Sequence, residues 1–190
     1  MQVLDAKLSQ PLEGGATSFN LANRAYRALW IIAWKLLASW TPAFMHPWRC
    51  GVLRLFGARI GRGVHVYSSV RIWDPRNLEM APHSCLGPRS DCYSMAKISI
   101  GAYAIVSQDA KLCAGMHDID DPGFLLLTKP IVIGAHAWVA ASAFVGPGVI
   151  VGEGAVLGAC SVAFSNLDAW GVYIGNPTVY LRERKRAADI

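Results

Sequence analysis

From Ile60 onward an aliphatic or small residue returns at every sixth position, and that period leaves few folds open to the chain. The series runs Ile60, Val66, Ile72, then after a step of eight Met80, Leu86, Cys92, then after another eight Ile100, Val106, Leu112. It resumes at Ile133 and continues without a break through Val139, Val145, Val151, Leu157 and Ala163. A helix would repeat about every 3.6 residues and a half-buried strand every second one, so neither produces this spacing. Repeats of fixed short period signify a solenoid, in which each unit buries its apolar face only against its neighbours.

The expected object is a three-sided prism. Each hexapeptide supplies one short flat strand and one corner, the aliphatic residue points inward, and three hexapeptides close a coil. Glycine often follows the inward residue, as in Ile60-Gly61, Leu86-Gly87, Ile100-Gly101 and Ile133-Gly134, and the corners are expected to hold glycine and small residues where the backbone bends tightly. Coil starts at residues 60, 80, 100, 133 and 151 predict five coils and an insertion of about 13 to 15 residues in the third interval. At a strand spacing of about 4.8 Å such a prism stands about 24 Å tall.

Ahead of the repeat, residues 1–17 read as a polar arm with Pro11, Gly14 and Gly15. A helical segment follows from Ser18, with Leu21, Tyr26, Leu29, Trp30, Ala33, Trp34 and Leu37 at helical spacings, and Thr41-Pro42 ends it. Its apolar run, ALWIIAWKLLASW, is 13 residues long and contains Lys35, short of the roughly 20 needed to cross a bilayer. A stripe of Trp30, Trp34 and Trp40 beside Arg24, Arg27 and Lys35 suits either a helix packed on the domain or one lying in a membrane interface. A second short helix is predicted from Pro47 to Phe56, stopping at Gly57. The predicted organisation is thus an arm and helices over 1–56, the repeat over 57–176 with a protruding loop at about 115–130, and a basic tail over 177–190.

Composition narrows the function classes. A chain with 53% hydrophobic and 16% charged residues has ample core, which excludes intrinsic disorder. A mean hydropathy of +0.31 without a long apolar run points to surface buried between subunits or against a membrane. Residues 1–76 hold ten Lys/Arg against three acids, residues 77–190 eight against ten. No nucleic-acid-binding signature accompanies the basic front, so anionic headgroups or a phosphorylated ligand fit it better. Cys50, Cys85, Cys92, Cys113 and Cys160 form no Cys-x-x-Cys pair, in keeping with a reducing compartment. The start lacks a basic segment followed by an apolar one, so the chain is expected in the cytoplasm, at the inner face of the membrane if the helix docks there.

An insertion that interrupts a solenoid has no packing duty of its own and is the first place to seek chemistry. Here it reads CAGMHDIDDPGFLLLTKPIVIG and contains His117 followed by Asp118. A neutral imidazole accepts a proton near neutral pH, which makes His117 a candidate general base. Asp118, Asp120 and Asp121 are suited to orienting it or binding a cation, or form a solvated acidic turn.

At this point the residues carry a resemblance. The hexapeptide register, SQDAKLCAGMHD, TKPIVIGAHAWVAASAFVGPGVIVGEGAVLGACSV and the closing GNP are similar to the hexapeptide acyltransferases. With LFGARIGRGVHVYSSVRIWDPRNLEM and the TP…HPWR segment, the chain more closely resembles the acetyltransferases of colanic acid and other exopolysaccharide biosynthesis, over about residues 18–182. The resemblance implies a left-handed parallel β-helix, a homotrimer with active sites between neighbouring prisms, and acetyl-CoA as acyl donor without a metal. It makes His117 the base that deprotonates a hydroxyl of a saccharide or lipid-linked saccharide. Asp91, Tyr93, Ser94 and Asp118 become acceptor contacts. Trp138, Ala141, Ser142, Cys160, Ser165 and Arg182 become the donor groove, with a backbone N–H near Ala141 and Ser142 facing the oxyanion and basic Arg182, Arg184, Lys185 and Arg186 near the coenzyme phosphates.

Ser165-Asn166 departs from the Thr-Lys common among such proteins, Ser94 stands where Asn is common, and Ala81-Pro82-His83 replaces a Gly-Asp-Asn-like corner. Acetylation of a xenobiotic or amino sugar, a silent scaffold, and a metal-dependent hydratase using His83 and His117 remain as alternatives, the last short of a third histidine ligand.

Overall fold

The computed structural model describes residues 19–121 and 124–185, with the backbone of residues 2–3 in addition. The rest of the expected polar arm, Pro122-Gly123 of the insertion, and Arg186 with the end of the basic tail lie outside the described residues.

Three stacks of parallel strands form the walls of a left-handed β-helix. The first wall holds Arg59–Ile60, Leu78–Met80, Ile98–Ile100, Ile131–Ile133 and Ile150–Val151. The second holds His65–Val66, Cys85–Leu86, Ile105–Val106, Trp138–Val139, Val156–Leu157 and Gly171–Ile174. The third holds Arg71–Ile72, Asp91–Tyr93, Lys111–Cys113, Phe144–Val145 and Val162–Ala163. Five coils are complete and a sixth is begun by Leu167, bridged to Val151, and by Gly171–Ile174.

The six-residue series is the register itself. Ile60, Met80, Ile100, Ile133 and Val151 pair one above another on the first wall. Val66, Leu86, Val106, Val139 and Leu157 do so on the second, and Ile72, Cys92, Leu112, Val145 and Ala163 on the third. All are buried except Ile60, which the first coil leaves half-covered.

The corners meet the expectation of glycine and small residues in part: Gly63 and Gly154 turn the first and fifth coils between the first and second walls at φ of 65° and 64°, but larger residues hold other corners. His83, Tyr103 and His136 bend the chain between the first and second walls at φ of 60°, 58° and 57°. Arg89, Asp109, Ser142 and Cys160 do the same between the second and third at 55°, 60°, 58° and 59°. A non-glycine residue in this left-handed region costs about 1–2 kcal/mol. A hydrogen bond to the preceding coil offsets that cost, as where His136 N–H donates to the Ala102 carbonyl at 2.8 Å and Ser142 N–H to that of Gln108 at 3.0 Å. Glycine is also required just after an inward residue, where coils approach most closely: a Cβ on Gly101 would lie 2.4 Å from the backbone nitrogen of Ala135.

A parallel stack ends in unpaired backbone groups, and the N-terminal helices satisfy them. Helix α1, Leu21–Leu37, is capped by Asn20, whose Oδ1 accepts the Asn23 N–H at 2.8 Å, and helix α2 spans His46–Leu55. Trp30 Nε1 donates to the Ile72 carbonyl (2.8 Å), Arg49 Nε to Val66 (2.6 Å), Arg54 Nε to Ile60 (3.0 Å) and Cys50 Sγ to Val64 (3.4 Å). These four carbonyls belong to the first coil. The helices therefore close the bottom of the prism, with Trp30, Cys50, Val52 and Leu53 continuous with its core. At the top, Val179–Glu183 folds back antiparallel on Gly171–Ile174, so the start of the basic tail extends the second wall.

Where the six-residue register breaks, Gly115–His117 and Leu126–Thr128 pair antiparallel as a hairpin that leaves the prism between the third wall and the next coil's first wall. The backbone of Gln2–Val3 pairs with its outer strand.

Candidate active site

The hairpin puts His117 at the last paired position, opposite Leu126, with its side chain exposed. Nδ1 lies 2.9 Å from the Phe124 carbonyl oxygen, and the two rings stack 4.3 Å apart at 9°. A carbonyl can only accept, so this bond places the proton of a neutral imidazole on Nδ1 and leaves the Nε2 lone pair open. The orienting group is a backbone carbonyl. Asp118 is engaged otherwise: its Oδ1 accepts the Asp120 N–H at 3.2 Å, and its own N–H donates to the Leu125 carbonyl at 2.8 Å.

Below the hairpin the third wall presents Asp91 and Tyr93. Asp91 Oδ2 accepts from Arg71 Nη2 at 2.6 Å, and the Tyr93 ring meets Trp73 edge-on at 4.7 Å. Burial, with the neighbouring Cys113 and Asp91, pushes the Tyr93 phenol above its ordinary pKa against the pull of Arg27, so it is a neutral hydroxyl at working pH. Tyr93 pairs with Cys113, whose strand leads into the hairpin. Ser94, expected beside the acceptor, is instead fully buried under this floor. Its Oγ donates to the Asp74 carbonyl at 2.9 Å and accepts the Asp74 N–H at 3.0 Å, a cross-coil tie that turns the hydroxyl away from any ligand.

The donor-side residues occupy a different corner. Trp138 stands outward on the second wall, half exposed, with Nε1 donating to Ser107 Oγ at 2.9 Å. Beyond it the chain turns through Ala141 and Ser142 into the third wall. Ser142 N–H is spent on the Gln108 carbonyl and the Ala141 carbonyl accepts from Cys160 N–H, while Ala141 N–H has no partner among the described residues. Of the two candidate oxyanion donors, the available one is Ala141. Cys160 is exposed at the same corner one coil on. Ser165 is exposed, and Asn166 Oδ1 accepts the Ile150 N–H at 2.9 Å, filling a gap in the ladder of the last coil. Arg182 and Lys185 are exposed near the top, but Arg184 Nη1 is tied at 2.9 Å to the carbonyls of both His136 and Gly154.

Within one chain His117 and Ala141 stand at opposite edges of the third wall, since the hairpin follows Lys111–Cys113 and the Ala141 turn precedes Phe144–Val145. One prism thus displays the candidate base at one edge and the candidate oxyanion donor at the other. Burial pushes the thiols of Cys50, Cys85 and Cys92 above their ordinary pKa, which suppresses the thiolate at those three positions. Among the described residues no three His, Cys, Asp or Glu side chains gather closely enough to hold a metal ion.

Sequence reasoning missed Phe124, Trp73, Arg71 and the part Arg27 plays. Arg27 lies with its guanidinium carbon 3.1 Å from the centre of the Trp73 ring, a contact across 46 residues of chain that no local pattern announces.

No family model matches the chain. It is 40% identical over 166 residues to the "Putative colanic acid biosynthesis acetyltransferase WcaF" of Escherichia coli (strain K12), spanning 87% of this chain and 91% of that protein. The protein of the same name from Shigella flexneri matches equally. Among solved structures, a maltose O-acetyltransferase from Clostridium difficile 630 superposes with a TM-score of 0.79 at 19% identity, over 88% of this chain and 90% of that one. The hexapeptide-repeat-containing acetyltransferase VCA0836 from Vibrio cholerae O1 biovar eltor, complexed with acetyl coenzyme A, gives 0.80 at 19%, over 90% and 93%. At such identities the likeness to solved structures is one of fold.

Proposed function

The chain belongs to the WcaF family of hexapeptide-repeat acetyltransferases, and from that premise we propose that it moves the acetyl group of acetyl-CoA onto a saccharide hydroxyl in exopolysaccharide or capsule biosynthesis. The observation that carries this reading is the bond between His117 Nδ1 and the Phe124 carbonyl, which leaves Nε2 as an exposed acceptor on a projecting hairpin.

A hydroxyl is a poor nucleophile until its proton is removed in the transition state. His117 Nε2 takes that proton as the hydroxyl oxygen attacks the thioester carbonyl carbon. The carbonyl oxygen becomes an oxyanion, for which Ala141 N–H is the candidate donor. Collapse breaks the carbon–sulfur bond, and the proton on Nε2 passes to the departing thiolate of CoA, so the imidazole ends neutral. Transfer is direct and needs no acyl-enzyme. Trp138, Ser142, Cys160, Ser165 and Arg182 line the proposed donor groove, and Asp91, Tyr93 and Asp118 are the proposed acceptor contacts.

Separation of base and oxyanion donor by the width of a wall supports a trimer in which the hairpin edge of one prism meets the Ala141 edge of its neighbour. A peripheral membrane contact through the helices is the second part of the reading. Ile32, Leu36, Trp40 and Phe44 are all more than half exposed, and residues 14–73 contain eight Lys/Arg and no acid. That combination suits an anionic lipid surface. Among the described residues no helix is long and apolar enough to cross a membrane.

Calorimetric titration with acetyl-CoA tests the donor without knowledge of the acceptor. Saturable binding near one per chain is expected; none at millimolar donor would overturn the reading.

A further inference from the structure

Phe124 touches His117 twice. Its carbonyl oxygen meets Nδ1 at 2.9 Å, and its ring lies over the imidazole at 4.3 Å and 9°. The His117 side chain is exposed at the last paired position of the hairpin. One hydrogen bond open to water holds such a ring weakly, because water offers the same bond. A half-turn about χ2 would exchange the two ring nitrogens and point Nδ1 at the hydroxyl in place of Nε2. The flipping imidazole would have to sweep through the space that the Phe124 ring fills, so the stack blocks the exchange that the bond alone permits.

The backbone of Phe124 is unusual in the same place. Its φ is 48°, a left-handed conformation that is an outlier for a bulky side chain. The other eight non-glycine residues of positive φ among the described residues stand at corners of the prism, and each donates its N–H to the coil before it. Phe124 lies in the loop of the hairpin, outside the coils. Its N–H donates to the Asp121 carbonyl at 2.8 Å, three residues back in the same loop. The inter-coil bond that offsets strain at the corners is therefore absent here. Strain of this kind persists where a site makes use of it, and at Phe124 it brings carbonyl and ring together onto His117.

We propose that Phe124 is a positioning residue for acyl transfer. Its ring, together with its carbonyl, holds the imidazole in the one orientation and tautomer that turns the Nε2 lone pair outward. The inference rests on the acetyltransferase reading and adds to it the side chain that keeps the base aimed.

The test separates the ring from the carbonyl. Asparagine enters the left-handed region more readily than phenylalanine, so Phe124→Asn keeps the carbonyl in place and removes the ring. NMR of the full chain with 15N-labelled histidine, assigned with His117→Ala, reads the imidazole at about pH 8.5, where an ordinary histidine is neutral. Wild-type His117 is expected as the Nδ1–H tautomer, its ring protons shifted upfield by the Phe124 ring. Phe124→Asn should show both tautomers in exchange and no such shift, with a melting temperature that holds or rises as the backbone strain is relieved. Phe124→Tyr should restore the wild-type spectrum. Thiol release from acetyl-CoA, with a pool of free monosaccharides as acceptor, should fall about tenfold or more in Phe124→Asn at unchanged KM for acetyl-CoA, and return in Phe124→Tyr.

A wholly Nδ1–H imidazole in Phe124→Asn means that the carbonyl suffices, and overturns the proposal. A melting temperature lower by several degrees makes the ring a packing residue of the loop and overturns it too, as does turnover equal to wild type. Acetyl-CoA titration reads the parent function separately. Absence of donor binding beside the expected spectra removes the acetyltransferase reading and leaves the hold of Phe124 on His117 standing, whereas donor binding with the tautomer unchanged in Phe124→Asn removes only the role of Phe124.

Discussion

Pro88 and Ala141 occupy the same corner of the prism two coils apart: each carbonyl accepts the N–H of a left-handed residue in the next coil, Asp109 above Pro88 and Cys160 above Ala141. Proline is therefore compatible with the backbone at this corner. Ala81-Pro82 on the neighbouring corner shows that an alanine can precede it. Ala141→Pro removes the outward N–H and nothing else. If that N–H serves the oxyanion, kcat should fall by about 10²–10³, while stability shifts by no more than about 1 kcal/mol. Undiminished turnover would move the oxyanion donor elsewhere.

His117→Ala should lower turnover by about 10²–10⁴, the usual worth of a positioned base. The side chain is exposed and its hydrogen bond stays within the hairpin, so the melting temperature and acetyl-CoA affinity should hold near wild type. Steady-state kinetics beside a melting curve decides between a base and a structural residue.

The inward column of the prism was legible because a period of six, twice stretched to eight, writes the same instruction fifteen times, and the long break after Leu112 located the hairpin. What stayed hidden has no repeating signature. A backbone carbonyl such as that of Phe124 looks the same in every residue, so sequence pointed to the acids beside His117. The resemblance makes Ser94 an acceptor contact, but the chain turns there and buries it against Asp74. Nothing in the sequence marks Arg89, Tyr103 and Asp109 as corner residues, because left-handed backbone held by an inter-coil bond leaves no mark on composition. Arg49 read as one more basic residue of the front, yet it is fully buried.

Arg49 ties the helices to the first coil: its guanidinium donates to Val66 O (2.6 Å), Thr41 Oγ1 (2.7 Å), Pro42 O (2.9 Å) and Ala43 O (2.7 Å). Arg49→Met keeps the length and strands those acceptors away from water. The loss should be about 3 kcal/mol or more, seen as a lower urea midpoint. A midpoint near wild type would mean that water replaces the guanidinium and that the helices are not the lid of the prism.

Ile32 and Leu36 are one helical turn apart on the outer face of α1, 55% and 66% exposed. Changing both to Glu leaves the buried Trp30 face intact. Co-sedimentation with anionic vesicles should fall at least about tenfold in the double variant, and wild-type binding should weaken with salt as screened basic groups require. Equal partitioning of the two proteins would assign the exposed face to contacts between chains.

His46 makes the bottom of the prism sensitive to acid. Its Nδ1 lies 2.9 Å from the Val66 carbonyl and 3.0 Å from Arg49 Nη2, and its ring stacks on His65 at 4.6 Å and meets Tyr67 edge-on. Burial holds its pKa below the ordinary value, and the charges of Arg49 and His65 add to that against the pull of the Val66 carbonyl. With the folded pKa below the unfolded one of about 6.5, the unfolded chain binds the extra proton first. The contribution to stability is whole above about pH 6.5 and is lost as pH falls toward the folded pKa. His46→Phe keeps ring packing and removes the titration. It should be less stable than wild type near pH 8, having lost the Val66 bond, but its melting temperature should decline less between about pH 7 and 5. Parallel curves for the two proteins would place the acid sensitivity on another group.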